Sequence, residues 1–330
     1  MNTQEIIKPT LDRSFYEPSS VMSVLNISYG LGLFIIFGWL NYQLAIGSWP
    51  IVYKVICMIP CTVLSAIGLY VLATLGHEGI HGTIFKNWKA SFLTGLFLSS
   101  SILTYFDMGV AVRHWDHHRD ANKKNDPDIM PSAWMTKWWQ RLLITRVLFN
   151  IVYLKYTYNL AIGNLKYVEK HKTPYEPDDL VLFARLNFLF AGIWLGAYIF
   201  ITYLDWRAGL YGILVPSLVL ALLAGCQSYL DHYGLDDGQF TNAYIRTSPL
   251  MTFIYFGSNY HLEHHLYPRV PQYRLPKVHK VLLEAGLYDV IKPTIVSGFF
   301  EAYKALAKQS VLSAENVKPT EYSHLKKAGT

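Results

Sequence analysis

Eight of the twelve histidines in this 330-residue chain fall into three tight clusters. They are His77 and His81; His114, His117 and His118; and His261, His264 and His265. Residues four apart on a helix share a face, and a set at i, i+3 and i+4 lies along one side of it. Each cluster can therefore aim its imidazoles at one place. Imidazole without thiolate suits the borderline metals zinc, copper, iron and nickel. A zinc site takes three or four protein ligands, so eight histidines are too many for one ion and suit two. Two redox-active metals able to activate oxygen are then the natural assignment, with iron the leading candidate. A ninth candidate is His232, which follows an apolar run in Tyr229-Leu230-Asp231-His232-Tyr233. Taken alone, such a histidine is more often a hydrogen-bonded interface residue.

Metal-bound histidines usually donate their second N–H to a carboxylate or carbonyl. Glu78, Asp116 and Glu263 lie inside the clusters and are candidates for that role; the plain alternative is a solvated helix face. Asp126-Pro127-Asp128 either bonds an Arg or His near the second cluster or forms a turn. His171, His279 and His324 are not expected to be ligands.

The elements that must position these residues are apolar. Hydrophobic residues make up 52% of the chain and charged residues 16%, and mean hydropathy is +0.20. Soluble domains run nearer ~25% charged, so an all-α integral membrane protein is expected. Its 24 Tyr and 9 Trp suit a chain with many residues at headgroup level. Four runs are long enough to span a bilayer, 21–46, 51–75, 180–204 and 209–227. Gly47-Ser48-Trp49-Pro50 joins the first two, and Asp205-Trp206-Arg207-Ala208 the last two, making two hairpins. Lys54, near the start of the second run, can snorkel to the interface. A fifth apolar segment, 91–112, is interrupted by Asp107 and Gly109. A full crossing there would separate His114 from His81, so a re-entrant segment is expected. Residues 142–165 mix apolar positions with Arg146, Lys155 and tyrosines, the pattern of an interfacial amphipathic helix.

The expected organisation is a polar arm over 1–20 without a signal peptide, one membrane domain over 21–310, and a loose tail over 311–330. Cys57, Cys61 and Cys226 lie in apolar runs and read as buried free thiols. Net charge is +6, but the basic residues form no single patch, which argues against a nucleic-acid partner. Of 29 Lys and Arg, 24 lie in 1–20, 113–179 and 228–330, against one in the turns 41–48 and 205–208. The positive-inside rule then puts both termini and every histidine cluster in the cytoplasm, at a bacterial inner or plasma membrane or the endoplasmic reticulum.

The order His77-x-x-x-His81, His114-x-x-His117-His118, His261-x-x-His264-His265 resembles the three histidine boxes of membrane fatty acid desaturases and related hydroxylases. Tyr260 to Pro268, continuing through Pro271 and Pro276 to His279, is similar to the final box and its tail, although it begins with His261 and not Gln. The resemblance covers about 64–283. It implies a four-helix membrane anchor bearing a cytosolic histidine-rich cap, with two iron ions bound by the eight box histidines. His232 matches the extra histidine that the family places after its fourth transmembrane helix. O2 would be the co-substrate, and hydrogen abstraction from an acyl chain would give a cis double bond and water. The acyl group would ride on a glycerolipid, coenzyme A or acyl carrier protein, among membrane lipids.

No His-Pro-Gly-Gly haem signature occurs in the sequence, so electrons are expected from a separate ferredoxin, rubredoxin or cytochrome b5. Lys123, Lys124, Arg269, Arg274 and Lys277 could dock such a carrier or equally meet lipid headgroups. Hydroxylation begins with the same hydrogen abstraction as desaturation. Carotenoid ketolases and hydroxylases share the boxes, and His114 to His118 followed by Asp126-Pro127-Asp128 is similar to the ketolase version. A metal transporter is a remote alternative, because transporters hold their ligands near the bilayer midplane and these clusters lie beyond the apolar runs.

Overall fold

The computed structural model describes residues 8–128, 135, 137–224, 227–232 and 235–298, with the backbone alone for 223, 224 and 227–229. Residues 1–7 of the arm, the tail 311–330, Cys226 and His324 lie outside the described residues.

The first apolar run forms α1 (Ser20–Ile46), started by the Ser19 hydroxyl, which accepts from the Met22 N–H. Gly47 ends it, and after Pro50 the chain returns as α2 (Ile51–His81). This helix outruns its apolar stretch and stays unbroken until Gly82 closes it in the left-handed region at φ 70°. His77 and His81 therefore ride on the last turn of a 31-residue helix. At 1.5 Å per residue it is ~46 Å long, more than the ~30 Å of a hydrocarbon core.

Segment 91–112 does not form one helix. It divides into α3 (Trp88–Ser99) and α4 (Asp107–Asp120) around turns at 100–106. Each is ~20 Å long, too short to cross alone. There follow α5 (Trp138–Ala161), α6 (Pro177–Leu204), α7 (Val215–Ala224), α8 (Gln227–His232), α9 (Pro249–Ile254), α10 (His261–Leu266), α11 (Leu275–Glu284) and α12 (Leu287–Ile291). Two additions qualify the all-α expectation. Short strands β1 (Ile245–Arg246) and β2 (Ile295–Val296) pair in parallel, and residues 208–214 wind as a π-helix that runs into α7. Among the described residues three helices are long and apolar enough to cross a membrane, those ending at Ile46, His81 and Leu204. The fourth expected span, 209–227, is present as the shorter apolar helix Ala208–Leu222.

The bundle is inside-out relative to a soluble protein. Val21, Ile35, Ile56, Leu189 and Phe200 are exposed, while Ser23, Asn26, Ser65 and Asn187 are buried between helices. Lipid is as apolar as leucine, so helices in it associate through close packing and internal hydrogen bonds. Ser65 donates to the Phe34 carbonyl (3.0 Å) and Asn187 to Ser100 Oγ (3.0 Å). Gly68 makes the α1–α2 contact possible, because a Cβ there would fall on the backbone of Phe34 and Gly30. Cys57 and Cys61 are free but sit exposed and half-buried respectively, which corrects the expectation of buried thiols. The α5 stripe Leu143, Val147, Ile151, Leu154, Tyr158 faces outward and Thr145, Phe149, Tyr153 inward, the orientation an interfacial helix needs.

Two apolar cores result. One runs from α1 to α7, and the other packs Leu262, Leu266, Val278, Leu282 and Tyr288 of the C-terminal helices. The histidine helices come from both: α2 and α4 belong to the first, α10 to the second.

Gly68→Val should destabilise the protein by about 1–3 kcal/mol through overpacking, read as a lower thermal midpoint in detergent. Gly32→Val, where a Cβ meets nothing within 4 Å, should leave the midpoint unchanged.

Candidate metal centre

The structure brings all nine candidate histidines together and sorts them into two adjoining groups. His77, His81, His114, His118 and His264 form one, and His117, His232, His261 and His265 the other. Within each, one ligand atom per residue lies within 4.8 Å of all the rest. The groups touch, with the His118 and His265 rings 4.4 Å apart at their centroids. Helical geometry explains the sorting. On α4, His114 and His118 are one turn apart and point to the first group, while His117, 60° from His114 and 100° from His118, points to the second. On α10, His261 and His265 serve the second group and His264 the first. From α2 come His77 and His81, stacked at i and i+4.

The Nε2 atoms approach closely. His114 lies 2.9 Å from both His81 and His118, and His264 lies 3.1 Å from His118. In the second group His232 is 2.9 Å from His261 and 3.2 Å from His117. Hydrogen bonds cannot satisfy so many convergent nitrogens, since each neutral imidazole has one N–H. An octahedral ion with metal–nitrogen bonds of ~2.1 Å places neighbouring nitrogens ~3.0 Å apart. The residues therefore suit a metal ion in each group, and neither group is large enough to fill an octahedral shell.

Ring tautomers point the same way. Asp126, fully buried, accepts from His117 Nδ1 at 2.9 and 3.1 Å. Its carboxylate is itself held by the N–H groups of Asn122 and Asp128, each at 2.9 Å. His232 Nδ1 donates to the Asn242 carbonyl at 2.7 Å. His232 thus carries its proton on Nδ1 and leaves the Nε2 lone pair facing its group, while Asp126 holds a proton on His117 Nδ1. Arg246, wholly buried, pairs with Asp231 Oδ1 at 2.7 Å and binds the Leu230 carbonyl, fixing α8 just before His232. Arg113 likewise binds the Pro127 carbonyl, tying α4 to the loop that carries Asp126.

Burial among other imidazoles pushes His114, His118, His261, His264 and His265 well below the usual histidine range, and His232 to about 3. These rings are neutral at pH 7, the form that binds metal. His117 differs. Burial opposes its charge, but Asp126 and Asp128 outweigh that and raise it to about 9.

The three carboxylates within the clusters do not take the role expected of them. Glu78 accepts from the Gln272 N–H at 3.1 Å. Asp116 accepts from His171 Nδ1 at 2.7 Å, and Glu263 from His279 Nδ1 at 2.5 Å and Tyr288 at 2.7 Å. Helical phase turns Asp116 and Glu263 away from the ligand face, so they hold histidines outside both groups. Among the described residues the carboxylate that hydrogen-bonds a cluster histidine is Asp126, whose Asp-Pro-Asp pattern also reads as a turn; Asp128 and Asp231 stand farther off, 3.8 Å from His117 Nδ1 and 3.9 Å from His261 Nδ1. Asn242 and Arg246 gave no signal in the sequence. A separate apolar crevice of about 570 Å³ is lined on α2 from Ile51 to Val63 and by Tyr211; its nearer end lies ~21 Å along α2 from His77, and none of the histidines lines it.

Asp126→Ala should weaken metal retention by about 10–100-fold, measured as ion content after dialysis against a chelator. Asp126→Asn, whose amide oxygen still accepts, should recover part of it.

Comparison with known proteins places the chain in a family. A relative from Caenorhabditis elegans, the delta(5) fatty acid desaturase fat-4, is 22% identical over 281 residues, 74% of this chain. The match spans 61% of that relative's length. The fatty acid desaturase family model matches residues 53–294, from the start of α2 past the last histidine cluster. With most of its length in that match, the chain belongs to the fatty acid desaturase family.

Proposed function

We propose that the chain is an oxygen-dependent di-iron desaturase that introduces a double bond into a fatty acyl chain. The observation that carries this reading is the five-plus-four grouping of buried, convergent imidazoles within a family of desaturases. Two iron ions would be held by His77, His81, His114, His118 and His264 and by His117, His232, His261 and His265. Iron bound there would supply the oxygen activation needed to take hydrogen from an unactivated C–H bond.

The protein's own contribution is placement and exclusion. Burial keeps every imidazole but His117 neutral and keeps water away from the centre. Asp126 and the Asn242 carbonyl hold the Nδ1 protons of His117 and His232. Because α2 carries His77 and His81 at the end of a helix able to cross a membrane, an acyl chain in the bilayer would meet the centre at its surface. The four-span reading counts 209–227 as the last span and places the termini and the histidines on the cytoplasmic side, as the Lys and Arg distribution favours. Reducing O2 to two waters takes four electrons: two come from the acyl C–H bonds and two from a separate carrier. Lys123, Lys124, Arg269, Arg274 and Lys277 are the basic residues that such an acidic carrier would meet.

Purified protein should hold about two irons per chain, and expression in a host lacking the activity should yield a new unsaturated acyl species. His117→Ala should abolish that product while leaving membrane insertion intact. Zinc or no metal in the pure protein, or substantial turnover by the variant, would refute the assignment.

A further inference from the structure

In two of the ligand helices a carboxylate stands at the same place, two residues after the first histidine. Asp116 occupies it in His114-Trp115-Asp116-His117-His118, and Glu263 in His261-Leu262-Glu263-His264-His265. At 100° per residue this position lies about 150° around the helix from the mean direction of the three histidines. Both carboxylates are buried on the back of their helix, and each accepts from the Nδ1 of a histidine on another segment. Asp116 takes a hydrogen bond from His171 Nδ1 at 2.7 Å, and His171 Nε2 meets the Tyr156 hydroxyl at 2.9 Å. Glu263 takes hydrogen bonds from His279 Nδ1 and from the Tyr288 hydroxyl at 2.7 Å. The partners lie on different segments in the two cases: α5 and the chain after it for Asp116, α11 and α12 for Glu263.

We infer that Asp116–His171–Tyr156 and Glu263–His279–Tyr288 are rotational locks, positioning residues that fix the angle at which each helix presents imidazoles to both metal sites. The inference rests on the proposed two-metal reading. The physical need is specific. Each of these helices feeds both groups, so a turn about its axis that improves one group's geometry worsens the other's. Packing of apolar side chains resists such a turn weakly, whereas a hydrogen-bonded carboxylate on the far side resists it directly. The α10 helix is six residues long, too short to be held by its own backbone bonds. The Lys172 N–H at 3.2 Å adds to the grip on Asp116. His171 and His279, the two described histidines outside both groups, thereby gain a role.

The test compares His279→Leu with His279→Asn in full-length protein loaded with ferrous iron, reading iron retained per chain after chelator dialysis and far-UV circular dichroism. Asparagine can place an N–H close to the position of Nδ1 and leucine cannot. His279→Leu should lose both irons in parallel, with retention about tenfold weaker, at unchanged helicity, and His279→Asn should restore it. Should the leucine variant fail to fold, Tyr288→Phe removes only the second donor and should weaken retention roughly fivefold, the worth of one hydrogen bond. Wild-type retention in His279→Leu or, if that variant does not fold, in Tyr288→Phe, or equal loss in the leucine and asparagine variants, would overturn the lock while leaving a two-iron centre standing. A wild-type protein that binds no iron would overturn the proposed centre, and the lock with it.

Discussion

Two short helices each have to satisfy two groups of histidines at once, and much of the structure answers to that requirement. Helix α4 sends His114 and His118 one way and His117 the other, and α10 divides His264 from His261 and His265. An isolated metal site tolerates some helix rotation because its ligands can follow. A shared helix removes that freedom. The surroundings of α4 and α10 accordingly hold more than apolar packing. Gly109 lets the backbone of α5 at Tyr153 press against α4, Arg113 ties α4 to the Pro127 carbonyl, and Arg246 with Asp231 secures the approach to His232.

The second constraint is the solvent. A bundle whose exterior is lipid gains nothing by burying leucine, so the spans meet through glycine and through buried serine and asparagine. That leaves the histidines at the seam between two differently built cores. Below them lies the bundle of long helices with polar joints, and above them a conventional apolar core packed around Leu262, Val278 and Leu282. The seam is where water can be excluded while polar ligands still find partners, through the Asp126 carboxylate and the Asn242 carbonyl.

The positions of the histidines along the chain were enough to nominate all nine, and helical phase was enough to put the members of each cluster on one face. What could not be read is how that face divides. Whether His117 turns toward its neighbours on α4 or toward His232 depends on where α8 sits, and α8 is placed by Arg246, a residue with no local signature. The carboxylates show the same limit. Glu78, Asp116 and Glu263 are adjacent to the clustered histidines in sequence, yet helical phase turns Asp116 and Glu263 away, and Asp126, which hydrogen-bonds His117, arrives by a turn. Long apolar runs marked the three spanning helices well because composition alone decides them. The run at 209–227 was less legible, since nothing in its residue types foretells the π-helical winding of 208–214.

The account stands on the division of nine imidazoles between two ions. Its most direct measurement is an experimental structure of the iron-loaded protein with anomalous scattering recorded at the iron edge. The account predicts two peaks, one among His77, His81, His114, His118 and His264 and one among His117, His232, His261 and His265. A single peak, or two peaks with His117 and His118 ligating the same ion, would contradict it.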